Sequence, residues 1–186
     1  MSFSERRAEA EREVGLTSTN TGGSSGYNAY YGLDTAQIAE SDSTYRQYGT
    51  RGKGPHPAHG GTQHADSEST NFEVTDGAWN CFVPSHGGGG PLELIAVMEG
   101  VCRCTDAQSG YLKSNPLVML KTCLLARDKY AAGHLDGERP PYEALVGVAR
   151  EMDLMFDDDD RTDLSRDTRR VAEQIYSTMS ADEVSV

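Results

Sequence analysis

The hydrophobic pattern predicts helices in the second half of the chain. After residue 90, four segments repeat apolar residues at three- and four-residue spacing, which is typical of helices that bury one face. They open at Pro91, at Pro116, at Pro140-Pro141 and at Thr162-Asp163, where proline or a capping side chain suits a first helical turn. In the fourth helix the predicted stripe is Leu164, Val171, Ile175 and Met179. Because the connections are short, we expect a small antiparallel bundle of about four helices.

The first half of the chain carries a different pattern. Residues 1–90 contain 15 of the 20 glycines but only 10 of the 37 Val, Ile, Leu, Met and Phe residues. Burial of apolar surface offsets the entropy lost on ordering a chain, so this half has little with which to build a core. Residues 34–45 suggest one short helix. The turn dipeptide Asp76-Gly77, between Phe72 and Val74 on one side and Trp79 on the other, predicts a β-hairpin.

These patterns together define the expected fold. We predict a mainly α protein: a long, mostly irregular N-terminal arm over residues 1–70, a short β-hairpin with a Gly-rich hinge over 71–90, and the helical bundle over 91–186. The run of four glycines before Pro91 could alternatively present backbone amides to an anion. It lacks the Lys and Ser/Thr of a P-loop, which favours the hinge.

Charge narrows the choice of partners. The chain has 17 Lys plus Arg against 29 Asp plus Glu, a formal net charge of −12, so attraction to nucleic acid or to an anionic membrane is not expected by default. The charged N-terminus and the absence of a long apolar run predict neither a signal peptide nor a membrane span. Four cysteines do not form a disulfide framework by spacing, so we expect a reducing, cytoplasmic compartment or the interior of an assembled particle.

Cysteine and histidine side chains are candidate metal ligands, namely Cys81, Cys102, Cys104, Cys123, His56, His59, His64, His86 and His134. Structural zinc usually takes ligand pairs spaced by two to four residues. Cys102 and Cys104 are separated by one residue on a predicted helix, where they would point to different sides. The sequence therefore predicts no metal and no cofactor, and a small metal- or ligand-binding regulatory protein is the alternative function.

No motif supplies a catalytic residue. There is no G-x-S-x-G, and adjacency of Ser85 and His86 in sequence does not create a catalytic pair. The acidic run Asp157–Asp160 lacks the alternating spacing and glycine of a calcium loop. We expect no enzymatic activity, and a small hydrolase is the lowest-ranked hypothesis.

Tyrosines and arginines are the candidate contact residues. Five tyrosines of the arm suit a protein interface, because a rigid amphipathic ring buries area at low entropy cost: Tyr27, Tyr30, Tyr31, Tyr45 and Tyr48. Four arginines near the last helix could contact nucleic acid or another anion: Arg161, Arg166, Arg169 and Arg170. Pairing with nearby carboxylates on the helix is an equally good explanation of the arginines.

An arm with few core-forming residues orders most readily on another molecule. The favoured hypothesis is therefore a structural or assembly protein, for example a coat or capsid-associated subunit, whose arm orders on neighbouring copies in a homo-oligomer or larger assembly.

Overall fold

The computed structural model describes residues 33–40, 46–48, 51–60, 71–75, 77–130, 140–154 and 163–186. Within these ranges the chain forms six α-helices and five β-strands. The strands are β1 (Arg46–Tyr48), β2 (Arg51–Gly54), β3 (Phe72–Thr75), β4 (Ala78–Cys81) and β5 (Gly88–Gly89). The helices are α1 (Thr35–Glu40), α2 (Pro91–Met98), α3 (Tyr111–Ser114), α4 (Pro116–Leu125), α5 (Tyr142–Glu151) and α6 (Arg166–Thr178). A π-helical turn, Ala126–Tyr130, continues α4, and a 3-10 turn, Ala181–Glu183, follows α6.

The strands form one antiparallel sheet in chain order, β1-β2-β3-β4-β5. The predicted hairpin is its centre, with Phe72 opposite Cys81 and Thr75 opposite Ala78. Gly88 and Gly89 pair with β4, so the glycine run that we interpreted as a hinge contributes an edge strand instead. Side chains alternate between buried and less buried positions along β3 and β4, as strands with one covered face do.

Sheet and helices share one hydrophobic core. Trp79 and Phe72 from the sheet and Ile38 from α1 are buried in the same cluster as the apolar faces of α2, α4 and α5. Helices α4 and α5 pack so closely that a Cβ on Gly147 would lie 2.4 Å from the carbonyl oxygen of Pro116. Helix α1 and strands β3, β4 and β5 therefore pack against helices of the same chain.

The prediction of a mainly α four-helix bundle is wrong. Only four of the six helices in the described ranges exceed six residues, and a five-stranded sheet packs beside them. Counting aliphatic residues misled the prediction because a short strand needs only two inward side chains, and large rings such as those of Phe72 and Trp79 bury much area each. Strand β2 also carries two buried glycines, Gly52 and Gly54, which such a count ignores.

The helix starts at Pro91 and Pro116 and after Pro140-Pro141 are confirmed. The last helix begins later than predicted, because the Ser165 hydroxyl, and not Thr162-Asp163, caps it by accepting the Thr168 amide N–H at 3.2 Å. Its buried residues are Thr168, Ala172 and Tyr176. Val171, which we placed on the buried stripe, is exposed.

None of the helices in the described ranges has the length and apolar character required to cross a bilayer.

Candidate metal centre

A short loop after β2 carries two histidines. It runs from His56 to Gly60, which are paired in an antiparallel bridge, and the Gly60 N–H donates to the His56 carbonyl at 2.7 Å. The buried side chain of Asn71, which is distant from this loop in sequence, bonds to both of its ends. Its Oδ1 accepts the His56 backbone N–H at 3.0 Å, and its Nδ2 donates to the Gly60 carbonyl at 2.9 Å. The carbonyl of Asn71 accepts the Phe82 N–H at 2.8 Å, which ties the loop to the end of β4.

The end of β4 and the turn after it supply two more donors. Cys81 is the last residue of β4, and its N–H donates to the carbonyl of Gly87 at 3.0 Å, so the chain turns back on itself between them. Ser85 lies in the left-handed region at φ 66°, uncommon for a residue with a side chain, and it immediately precedes His86. The turn brings the His86 imidazole next to the Cys81 thiol.

The fifth donor comes from the segment after α2. We expected Cys102 and Cys104 on a helix, but α2 ends at Met98, and Gly100 at φ 70° leads into turns. Cys104 is buried there, and its Sγ lies within hydrogen-bond distance of His56 in the loop after β2. The same segment is bonded to the edge strand β5, because the Gly88 N–H donates to the Ala107 carbonyl at 2.9 Å.

Gly87 allows the turn after β4 to lie close to the segment that carries Cys104 and Ala107. A Cβ on Gly87 would lie 1.9 Å from the Ala107 oxygen and 2.7 Å from the Cys104 oxygen. Real Cβ atoms do not approach backbone so closely, so only glycine fits at this position without a shift of one segment.

Three donor atoms form a triangle. His59 Nε2 lies 3.5 Å from Cys81 Sγ and 3.2 Å from His86 Nδ1, and Cys81 Sγ lies 3.6 Å from His86 Nδ1. A tetrahedral zinc ion, at about 2.05 Å from nitrogen and about 2.3 Å from sulfur, separates two nitrogens by about 3.3 Å and nitrogen from sulfur by about 3.6 Å. The three distances therefore match the edges of one face of a zinc tetrahedron.

The buried side of the cluster is completed by Cys104 and His56. Cys104 Sγ lies 3.3 Å from His56 Nε2. Donor atoms of His56, His59, Cys81 and Cys104 all lie within 4.8 Å of one another, so Cys104 is also near the triangle. Among the residues that the structure describes, this is where histidines and cysteines are arranged to hold an ion.

Aromatic side chains surround His56. Its ring stacks on that of His59, with centroids 3.9 Å apart, and meets the edges of Phe72 at 5.1 Å and Trp79 at 5.6 Å. His56 is only 1% exposed, whereas His59 is exposed. The cluster thus has a buried, apolar side and a solvent side.

Burial sets the protonation of the cluster. Burial, with smaller contributions from the imidazoles of His59 and His86, lowers the pKa of His56 from 6.5 to about 3. Burial and the nearby His86 lower the pKa of His59, and backbone hydrogen bonds oppose that shift. Burial, reinforced by Cys81, raises the pKa of the Cys104 thiol to about 11.

These shifts have a consequence for ion binding. A neutral imidazole is the form that binds a metal, so the lowered histidine pKa values favour coordination near neutral pH. The Cys104 thiol keeps its proton until a cation displaces it. Metal binding at this cluster would therefore release protons and strengthen as the pH rises.

Of the other candidate metal ligands, the structure describes Cys102 and Cys123. Cys123 is fully buried on α4, Cys102 is half-buried, and no distance places either thiol in the donor group. His64 and His134 lie outside the described residues. The acidic run Asp157–Asp160 also lies outside them. Of the pair Ser85-His86, only His86 enters the cluster.

The structure describes the side chains of three of the predicted contact residues. Arg166, Arg169 and Arg170 are exposed on α6, and Arg169 pairs with Glu173 at 3.4 Å and lies over the Tyr142 ring. Arg161 lies outside the described residues, as do four of the five tyrosines, Tyr27, Tyr30, Tyr31 and Tyr45. The fifth, Tyr48, belongs to β1, where the structure describes only the backbone. The roles of these residues stay predictions.

Sequence reasoning missed Asn71, which fixes the histidine loop through its side chain. One signal for that loop was visible: His56 and His59 are separated by two residues, the ligand spacing of many zinc sites.

No protein-family model, curated protein or solved structure matches this chain, so the assignment of the site depends on its geometry.

Proposed function

We propose that this protein binds a zinc ion at the Cys/His cluster, and that the ion has a structural role. The observation that carries the proposal is the triangle of His59 Nε2, Cys81 Sγ and His86 Nδ1, whose sides of 3.2–3.6 Å match the face of a zinc tetrahedron, with Cys104 on its buried side. This favours the alternative that the sequence left open, a metal-binding protein.

The donor set supports zinc over other ions. Two sulfurs and two imidazole nitrogens in a tetrahedron suit Zn²⁺, whereas Mg²⁺ and Ca²⁺ prefer oxygen ligands and octahedral or larger shells. Four protein donors leave no open position for water or substrate, which is typical of structural and not catalytic zinc. The ion would join the loop after β2, the end of β4 and the turn after α2, segments far apart in sequence.

Metal analysis of protein purified without chelator tests the proposal. We expect one zinc per chain, a fall in melting temperature when a strong chelator removes it, and recovery when zinc is restored. Cobalt(II) in its place should give the intense visible bands of a tetrahedral site, together with sulfur-to-cobalt charge transfer. The variants Cys81→Ser and Cys104→Ser should lose the ion.

Cys102→Ser is the matched control, because Cys102 is a half-buried thiol two positions from Cys104 but outside the cluster. It should retain zinc and the cobalt bands. Wild-type protein with only trace zinc and no tetrahedral cobalt bands on titration would overturn the proposal.

The assembly role stays a prediction. The tyrosines on which it depends are outside the described residues or lack described side chains, and metal binding does not exclude it.

A further inference from the structure

The cluster has five donor groups, whereas one tetrahedral zinc ion has only four coordination positions. The donor atoms of His56, His59, Cys81 and Cys104 lie within 4.8 Å of one another, and His86 Nδ1 lies within 3.6 Å of two members of that group, His59 and Cys81. We propose that His86 is the fourth zinc ligand and that His56 is a positioning residue, which donates its Nε2–H to the Cys104 thiolate. This inference rests on the proposed zinc site and assigns the roles within it.

The tautomer of His56 is incompatible with coordination through its Nε2. Its Nδ1 accepts the backbone N–H of Ala58 at 3.2 Å, so Nδ1 carries a lone pair and the proton of the neutral ring lies on Nε2. Nε2 is the nitrogen that faces Cys104 Sγ, at 3.3 Å. A ring nitrogen that carries a proton cannot bind a metal, but it can donate a hydrogen bond to a thiolate.

The His56 ring is held in this orientation. Its ring packs between His59, Phe72 and Trp79. Its backbone N–H is bound by Asn71. A rotation that aimed Nδ1 at the ion would break the bond from Ala58 and disturb these ring contacts.

The geometry of His86 suits it to be the fourth ligand. Its Nδ1 is within zinc-edge distance of two other donors, at 3.2 Å from His59 Nε2 and 3.6 Å from Cys81 Sγ. Two imidazole nitrogens directed at each other at this distance suit a shared cation. The left-handed conformation of Ser85 and the turn bond from the His86 N–H to the Val83 carbonyl fix this arrangement.

The assignment predicts what His56 does. An N–H···S bond withdraws charge from a metal-bound thiolate, so it tunes the sulfur–metal bond and makes the sulfur a weaker nucleophile. On the buried side of the site, His56 would thus protect Cys104 from protonation and alkylation, whereas His59 and His86 hold the ion on the solvent side.

Nitrogen-15 NMR of the histidine rings in the zinc-loaded wild-type protein tests the assignment directly. We expect His86 to show a metal-bound Nδ1 and a protonated Nε2, and His56 to show a protonated Nε2 with no metal-bound nitrogen. The reverse pattern would overturn the inference while leaving the zinc site intact. Protein that binds no zinc would defeat the proposed function itself, so the two failures are distinguishable.

Two substitutions provide a second measurement. His86→Ala removes a ligand, and its zinc affinity should fall by more than that of His56→Gln, which loses about 10–100-fold, as second-sphere changes do. The cobalt form of His56→Gln should keep the band intensity of a tetrahedral site with a shifted sulfur-to-cobalt transition, and iodoacetamide should alkylate Cys104 faster. Loss of the tetrahedral bands in His56→Gln with retention in His86→Ala would contradict the assignment. The NMR measurement needs no variant, so it decides the question even if one fails to fold.

Discussion

Asn71→Ala is expected to loosen the histidine loop and weaken both the fold and the metal site. The substitution removes two hydrogen bonds, one from the His56 backbone N–H and one to the Gly60 carbonyl. Because the His56 N–H is buried, losing its acceptor costs about 1–3 kcal/mol, and the less buried second bond adds about 0.5–1.5 kcal/mol. We expect a loss of about 1.5–4.5 kcal/mol in the free energy of unfolding.

Urea denaturation in excess chelator measures this loss without a contribution from the metal. Asn80→Ala is the matched control, since Asn80 is exposed on β4 and its removal should change stability by no more than about 0.5 kcal/mol. In zinc competition, Asn71→Ala should bind about 10–100-fold more weakly than the control, because the loop no longer presents His59 in place. Equal urea midpoints and equal zinc affinities for the two variants would refute this account of the loop.

Three further predictions concern the helices and the pH dependence. Gly147→Ala should destabilise the protein by about 1–3 kcal/mol in urea denaturation, because the new methyl group would lie 2.4 Å from the Pro116 carbonyl oxygen. An unchanged urea midpoint would show that α4 and α5 can move apart without an energetic cost. Arg127→Ala should lower the free energy of unfolding by about 1.5–3 kcal/mol, because the Arg127 guanidinium donates to two carbonyls at the end of α6, including that of Tyr176 at 2.7 Å. Arg127→Lys should recover only part of this stability, since an ammonium group cannot reproduce both bonds. Full recovery in Arg127→Lys would contradict the role of the paired hydrogen bonds. In metal-free protein the folded-state pKa of His56 lies below its unfolded value, so the unfolded state binds the extra proton between pH 6.5 and about 3, and stability falls as the pH drops through that window. The slope from this one group reaches about 1.4 kcal/mol per pH unit. The free energy of unfolding of His56→Gln, which keeps the other cluster donors, should therefore depend less steeply on pH than that of the wild type. Parallel pH profiles would disprove the lowered pKa of His56.

Local signals in the sequence predicted local structure well. Pro91 and Pro116 start helices because a proline ring fits the first turn, where no amide N–H is needed. The hairpin follows from residues within ten positions of one another. Each of these depends on neighbours in sequence, so no tertiary information was required.

The remainder of the sheet depends on pairing across the chain. Strand β2 has the sequence RGKG, with no apolar alternation to identify it, and its register with β3 places Gly54 opposite Phe72. The buried face of α6 was missed for a similar reason. Thr168 and Tyr176 are buried although polar, because they face the packed side of the helix, and tertiary contact overrides hydropathy there.

The metal cluster could not be predicted because its donors come from separate segments. The spacing of Cys102 and Cys104 argued against a site only on the assumption that both lie on a helix. Because α2 ends early, that assumption does not hold, and the Cys104 thiol lies near His56 in the loop after β2. The contact that brings Cys104 near Cys81 is a backbone approach at Gly87, and one glycine in a run of four carries no sign of its partner.

The proposed ion changes how the glycine-rich half of the chain is understood. The sequence suggested that residues 1–90 hold too few aliphatic side chains to order without another molecule, yet the described sheet is packed on the helices of its own chain. A buried aliphatic side chain contributes about 1.5–3 kcal/mol. Structural zinc contributes about 10–16 kcal/mol in small peptides. One ion that joins the loop after β2, β4 and the turn after α2 would therefore replace several missing aliphatic side chains at the end of the sheet. On the proposed function, a zinc ion and not a protein partner would supply the external contribution that orders the described part of this half.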